Sequence, residues 1–252
     1  MMQPYLFDRK GTSMIGLGTI INTAAILAGG LFGALFGRLL SESAQDTLTK
    51  VCGVSTLFIA ISGALEKMFT VENGTVFSSG SMLIVICLAI GAVIGEALKI
   101  EDAFERFGQW LKIKSGNAKD KGFVDAFVTA SLTVCIGAMA IVGSLEDGLT
   151  GDYSILATKA VLDLIIIMVM SCSLGRGAVF SAIPVAVFQG SITALAGLLR
   201  PVMTDAALAN LSLVGNVLIF CVGINLVWDR KVKVANLLPA IVVAVMAAFL
   251  PI

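Results

Sequence analysis

The sequence predicts an all-α polytopic membrane protein of about eight transmembrane helices with internal helix-pair repeats, and three observations carry that prediction. The chain of 252 residues is 58% hydrophobic and only 13% charged, against roughly 45–50% and about 25% in soluble domains, and its mean hydropathy is +0.98. Its apolar runs reach the roughly 17–25 residues that span a hydrocarbon core of about 30 Å. They are too long and alternate too little for barrel strands, so the spans are helical.

Taken in order, the runs give helices over about 14–37, 48–66, 81–98, 123–145, 154–173, 178–199, 209–228 and 232–250. The second has the shortest apolar core, Val51 to Leu65, and the fifth and sixth are parted only by SLGRG at 173–177. Residues 1–13, MMQPYLFDRKGTS, are polar and lack an apolar h-region; they read as an N-terminal extension rather than a signal peptide. The remainder, 14–252, reads as a single transmembrane domain. With eight spans, one face collects Arg38, Lys50, Lys99, Arg106, Lys112, Lys114, Lys119, Lys121, Arg176, Arg230, Lys231 and Lys233, against Lys67, Lys159 and Arg200 on the other. The positive-inside rule puts the basic face in the cytoplasm and both termini outside. Between the third and fourth spans, EDAFERFGQWLKIK at about 101–114 sets Phe104, Phe107 and Leu111 at helical spacing among charges, the pattern of an amphipathic helix lying at the cytoplasmic interface of the lipid bilayer.

The chain repeats itself. IAISGALE at 59–66 and MAIVGSLE at 139–146 share five of eight positions. Each follows a helix with a small-xxx-small ridge, Gly29/Gly33/Gly37 in the first span and Gly91/Gly95 in the third, which lets backbones approach closely. Sliding residues 21–65 by 162 positions pairs Ala24 with Ala186, Ala34 with Ala196, Arg38 with Arg200 and Gly53 with Gly215. Because the sixth span runs opposite to the first, that copy is inverted. The repeat-like units are 14–66, 81–173 and 178–250, arranged as an inverted 3+3 (spans 3–5 against 6–8) with an extra N-terminal pair. Inverted repeats place transporter sites near mid-membrane at the repeat interface.

Polar residues inside the spans are the candidate site. Asp163 lies mid-span in KAVLDLIIIMVM with no adjacent cation. A carboxylate there costs at least ~2.5–3.5 kcal/mol, so it calls for a partner, a proton or Na+. Thr19, Asn22 and Thr23 in GTIINTAAI supply hard oxygens to the first span. Gln189 follows Pro184 and precedes Gly190, a setting that suggests a helix broken near mid-membrane. Asn216 and Asn225 are similar amides in the seventh span. Glu66 and Glu146, with Asp147 next to the latter, end the two repeated phrases and suggest an acidic outer vestibule that gathers cations.

MIGLGTIINTAAILAGGLFGALFGRLL, GVSTLFIAISGALE, SLTVCIGAMAIVGSLEDGLTGD, LGRGAVFSAIPVAVFQGSITALAG and CVGINLVW together resemble the DUF554 family of bacterial inner-membrane proteins over nearly all of the chain from Met14. The resemblance implies a transporter of unnamed substrate in the bacterial inner membrane and carries over no catalytic or binding residues. The residues themselves exclude much chemistry. There is no histidine and no CxxC pair among five cysteines, which removes zinc, haem and His-based acid–base catalysis. HExxH, the G-x-S-x-G elbow and a phosphate-cradling loop are absent, so no enzyme, cofactor or nucleic-acid function is expected. The leading expectation is a secondary transporter or exporter of a small solute, with a proton or Na+ as possible coupling ion. Two alternatives stand beside it. A passive channel would be insensitive to Asp163→Asn. An oligomeric scaffold, a homodimer through Gly29, Gly33 and Gly37, would dissociate on Gly33→Leu while its monomer stays folded.

Overall fold

The computed structural model describes residues 14–37, 39–72, 74–228 and 232–250. The N-terminal extension and the basic residues Arg38, Arg230 and Lys231 lie outside them. Helices run α1 (Leu17–Gly37), α2 (Glu42–Met68), α3 (Ser81–Leu98), α4 (Ile100–Lys114), α5 (Phe123–Cys135), α6 (Ala138–Thr150), α7 (Ser154–Ser173), α8 (Ala182–Ala194), α9 (Ala196–Leu199), α10 (Asp205–Val227) and α11 (Pro239–Ala247), with 3-10 segments at Arg176–Ser181 and Val234–Leu237. Six of these, α8 counted with the 3-10 segment before it, are long and apolar enough to cross a membrane, and Val234–Ala247 is a shorter apolar helix. The protein is therefore an all-α polytopic membrane protein; in place of the eight expected spans, the described residues hold six such helices, or seven with the bent α5–α6 pair taken as one, and α2 begins at Glu42 rather than near 48.

Three features depart from the sequence expectation. The predicted helix over 123–145 is two helices: α5 and α6 meet at a bend of 61°, at Gly137, whose φ of 148° is a conformation open essentially to glycine alone. Conversely, the expected break around Gln189 and Gly190 is not there. Pro184 sits in the first turn of α8, where a missing N–H costs nothing, and the helix continues through Gly190. Third, α2 and α3 are joined by an antiparallel hairpin, β1 (Phe69–Glu72) with β2 (Thr75–Ser78), in the register Phe69↔Ser78 to Glu72↔Thr75.

Four helix contacts organise the bundle, and close backbone approach explains each. On α1, a Cβ at Gly29, Gly33 or Gly37 would overlap the carbonyl of Leu164, Met168 or Cys172 of α7. The partner numbers rise in step, so α1 and α7 run parallel, locked by Ser171 Oγ donating to the Gly30 carbonyl at 2.8 Å. The glycine ridge thus packs within the chain; the face α1 turns outward carries Leu31, Phe32, Leu35 and Phe36. A homodimer through Gly29, Gly33 and Gly37 would have to displace α7. The second contact is antiparallel, with Gly53 of α2 against Leu226 and Val227 of α10 and Gly63 against Asn216. In the third, also antiparallel, Gly91 and Gly95 of α3 meet Ala240 and Asn236. In the fourth, Gly177 meets Phe123 and Phe127 while Gly148 meets Thr193, so the α5–α6 path and the α8 path run parallel.

The amphipathic segment is α4, entered through Lys99 at φ 52°. Gly108 and Leu111 face inward, Phe107 meets Phe127 edge-on at 5.7 Å, and Trp110 and Ile113 remain exposed. Its start is pinned by Asn236, which accepts the Glu101 N–H at 2.8 Å and donates to Glu96 at 2.6 Å. Glu101 in turn accepts the Ala235 N–H at 2.9 Å. Asn236→Ala leaves a buried N–H unpaired and is expected to cost about 1–3 kcal/mol. Amide exchange should quicken over α4 while the α1–α7 pair keeps its protection.

Candidate functional site

The centre of the site is an ion pair that the sequence reading lacked. Lys159 and Asp163 lie one turn apart on α7, the i,i+4 spacing that brings side chains together. Lys159 Nζ donates to both Asp163 oxygens, at 2.7 and 2.6 Å. Lys159, assigned from the sequence to the outer face, is only 7% exposed and Asp163 only 3%. By helix rise Asp163 is about 13 Å from the start of α7, near the middle of the helix. Two charges so placed must neutralise each other, because neither finds water.

Amides from two further helices close around the pair. Asn22 of α1 donates through Nδ2 to Asp163 at 3.0 Å and to Gln189 Oε1 of α8 at 3.2 Å. Asn22 and Gln189 are fully buried. Thr19 lies one turn before Asn22 on α1, and Thr193 one turn after Gln189 on α8. Four buried polar atoms here, Thr19 Oγ1, Asn22 Oδ1, Gln189 Nε2 and Thr193 Oγ1, have no hydrogen-bond partner among the described residues. Such groups are rare in folded interiors and call for an explanation. α5, which ends at Cys135 just before the α5–α6 break, also packs against α7, the helix that carries the pair.

Of the residues singled out in the sequence, Asp163, Asn22 and Gln189 are joined by hydrogen bonds, and Thr19 is buried one turn from Asn22 on α1. Thr23 bonds back to the Thr19 carbonyl at 2.7 Å and serves its own helix. Asn216 and Asn225 stand elsewhere. Asn216 donates to the Ser212 carbonyl at 2.8 Å, and Asn225 exchanges two hydrogen bonds with the Val232 backbone, at 2.7 and 2.9 Å, tying the end of α10 to the connector that follows. The acidic residues do not form one vestibule. Glu66 is exposed at the end of α2, paired with Lys67 at 2.8 Å, and Glu146 is half-buried on α6. Asp147 is wholly buried and accepts the Gly16 and Gly18 N–H groups at 3.2 and 3.1 Å, satisfying donors that a helix start leaves orphaned. On the loop beyond, hydrogen bonds from Ser154 hold the Asp152 carboxyl below the usual range.

The family model described as "Protein of unknown function (DUF554)" matches residues 17–249. The chain belongs to the DUF554 family. Two relatives align over 232 residues at 28% identity: "Uncharacterized membrane protein YdfK" of Bacillus subtilis (strain 168), covering 92% of this chain and 95% of the relative, and "Uncharacterized protein YqgA" of Escherichia coli (strain K12), covering 90% and 94%. No solved structure matches. The matched residues include α1, α7 and α8, the helices that carry the cluster.

Proposed function

We propose that this membrane protein is a secondary transporter or exporter of a small solute, coupled to a proton or Na+, and not an enzyme. It sits in the bacterial cytoplasmic membrane with both termini outside. The observation that carries the reading is the buried Lys159–Asp163 pair beside four buried polar atoms, Asn22 Oδ1, Gln189 Nε2, Thr19 Oγ1 and Thr193 Oγ1, that lack a partner among the described residues. Intramembrane ionisable groups are costly and mark ion or substrate paths. A purely structural cluster would be expected to satisfy its own hydrogen bonds.

The packing supports an inverted repeat, in a form that modifies the sequence reading. Exchanging α1 with α8, α2 with α10, α3 with α11 and α5–α6 with α7 turns the α1–α7 contact into the α8–α5/α6 contact. The α2–α10 and α3–α11 contacts map onto themselves. This pairs the first three spans with the last three, as the 162-residue slide does, rather than the third to fifth. Asn22 and Gln189 then meet where the two copies cross, and the α5–α6 break has the character of the discontinuous helices around which transporters build sites.

The test is flux in proteoliposomes loaded with a pH-sensitive dye or, in parallel, a Na+-sensitive dye. A Na+ or proton gradient is imposed while pools of small solutes are added outside. Solute-dependent ion movement that falls at least tenfold in Asp163→Asn supports coupled transport. Equal flux in both proteins would instead make it a channel, and no flux with any pool would leave a scaffold.

A further inference from the structure

We propose that the cluster is a monovalent-cation site in which Lys159 acts as a tethered competitor: Na+ binds Asp163, Asn22, Gln189 and Thr19 when the Lys159 ammonium swings out. The donor set is the first argument. Asp163 offers a carboxylate, and Asn22 Oδ1, Gln189 Oε1 and Thr19 Oγ1 offer neutral oxygens, the hard ligands a small cation takes. Two of them, Asn22 Oδ1 and Thr19 Oγ1, are unpartnered and more than nine-tenths buried. With the ammonium in place, Asn22 turns its Nδ2 toward Asp163 at 3.0 Å. Rotating that amide about its last torsion exchanges donor for acceptor, so one side chain serves both states.

Charge selects the class of ion. Asp163 and Lys159 sum to zero, and removal of the ammonium leaves one uncompensated negative charge among buried groups. A monovalent cation restores neutrality; a divalent one leaves an excess charge, since among the described residues the one further buried carboxylate nearby, Asp147, is engaged by the Gly16 and Gly18 N–H groups. Geometry gives Lys159 somewhere to go. It stands about 7.5 Å from the start of α7 by helix rise, and its four-carbon stem lets the ammonium snorkel to the outer interface while the stem stays in apolar surroundings. Asp163, a turn deeper on a two-carbon side chain, stays behind to hold the ion.

This inference rests on the transport reading and deepens it by naming the coupling ion and its built-in rival, but it is tested by binding alone. The full chain is purified in detergent, and its melting is followed as NaCl replaces choline chloride at constant ionic strength. Lys159→Gln and Lys159→Met remove the competitor. Asn22→Asp tilts the charge balance the same way from α1, without touching α7. At least one of these is expected to be stabilised by Na+ with a half-maximal concentration tenfold or more below that of wild type. Asp163→Asn, alone or combined with Lys159→Gln, should lose the response. If no folded variant responds to Na+ beyond Asp163→Asn, the proposal is overturned. Should all three charge variants fail to fold, 22Na+ retention by wild type, absent in Asp163→Asn, decides in its place, and no retention sinks it. A Na+-silent protein that still shows solute-dependent proton flux keeps the transport reading with a proton as the ion. A Na+-responsive protein that moves nothing sinks the transport reading alone.

Discussion

Asp163→Ala is expected to destabilise the protein by about 3–5 kcal/mol, because it leaves the Lys159 ammonium buried without its counter-charge. The two groups share two short hydrogen bonds, and the Asn22 amide loses one of its two acceptors as well. Lys159 lies only about 7.5 Å by helix rise from the start of α7, and reach toward that end lets it recover part of its hydration, which sets the lower end of that range. Replacing both charges, as in Lys159→Met with Asp163→Leu, should return stability to within about 1 kcal/mol of wild type or above it, since a well-packed apolar pair avoids the desolvation cost altogether. Reversible denaturation in mixed micelles over the full double-mutant cycle measures this directly. Equal losses in the single and double variants would mean that packing volume, not charge, holds this part of the bundle. On the transport reading proposed above, flux should fail in both single variants and in the double, and a stable but inactive double variant is what a functional ion pair requires.

Four members of this site were legible because each is a polar residue in a long apolar run. Asp163, Asn22, Thr19 and Gln189 stand out against sequence that otherwise fits lipid, and their cost there is a physical signal. Lys159 was hidden by its position. Five residues into a span, it resembles a topology charge at a membrane face, although its spacing to Asp163 is a complete i,i+4 signal. Asn216 and Asn225 carry the same polar signal without the role, because an amide in a span serves equally well by bonding nearby backbone, as both do. Span edges followed from bilayer thickness, which fixes the length of an apolar run. The bend at Gly137 did not, because CIGAMA reads like any small-residue stretch and nothing in it marks which glycine takes the positive φ. The hairpin between α2 and α3 had a signal in the Asn73–Gly74 dipeptide, typical of two-residue turns. Least legible was partner choice. A glycine ridge announces that a backbone comes close, and says nothing about whose.

That last point yields the second large effect: Gly33→Leu is expected to abolish the folded monomer rather than dissociate an oligomer. Gly33 faces the Met168 carbonyl of α7, and a Cβ there would also stand 3.0 Å from Ser171 Cβ. The obstacle is backbone, which has no rotamer to move aside, so α1 and α7 must separate. Separation breaks the Ser171–Gly30 hydrogen bond and draws Asn22 away from Asp163, dismantling the candidate site from a distance. Overpacking of a core costs about 1–3 kcal/mol where side chains can yield; here the loss should be about 3 kcal/mol or more. Gly33→Ala already carries the offending atom and should show most of the effect, whereas Leu35→Ala, on the exposed face of the same helix, should change melting little. Size exclusion and thermal melting of the three variants separate the readings. A Gly33→Leu protein that elutes as a smaller, folded species with wild-type melting would mean that the ridge meets a second copy and that α7 packs elsewhere. An aggregated or unfolded product from Gly33→Ala and Gly33→Leu, with Leu35→Ala intact, ties the ridge to α7 and makes the α1–α7 pair the frame on which the ion site depends.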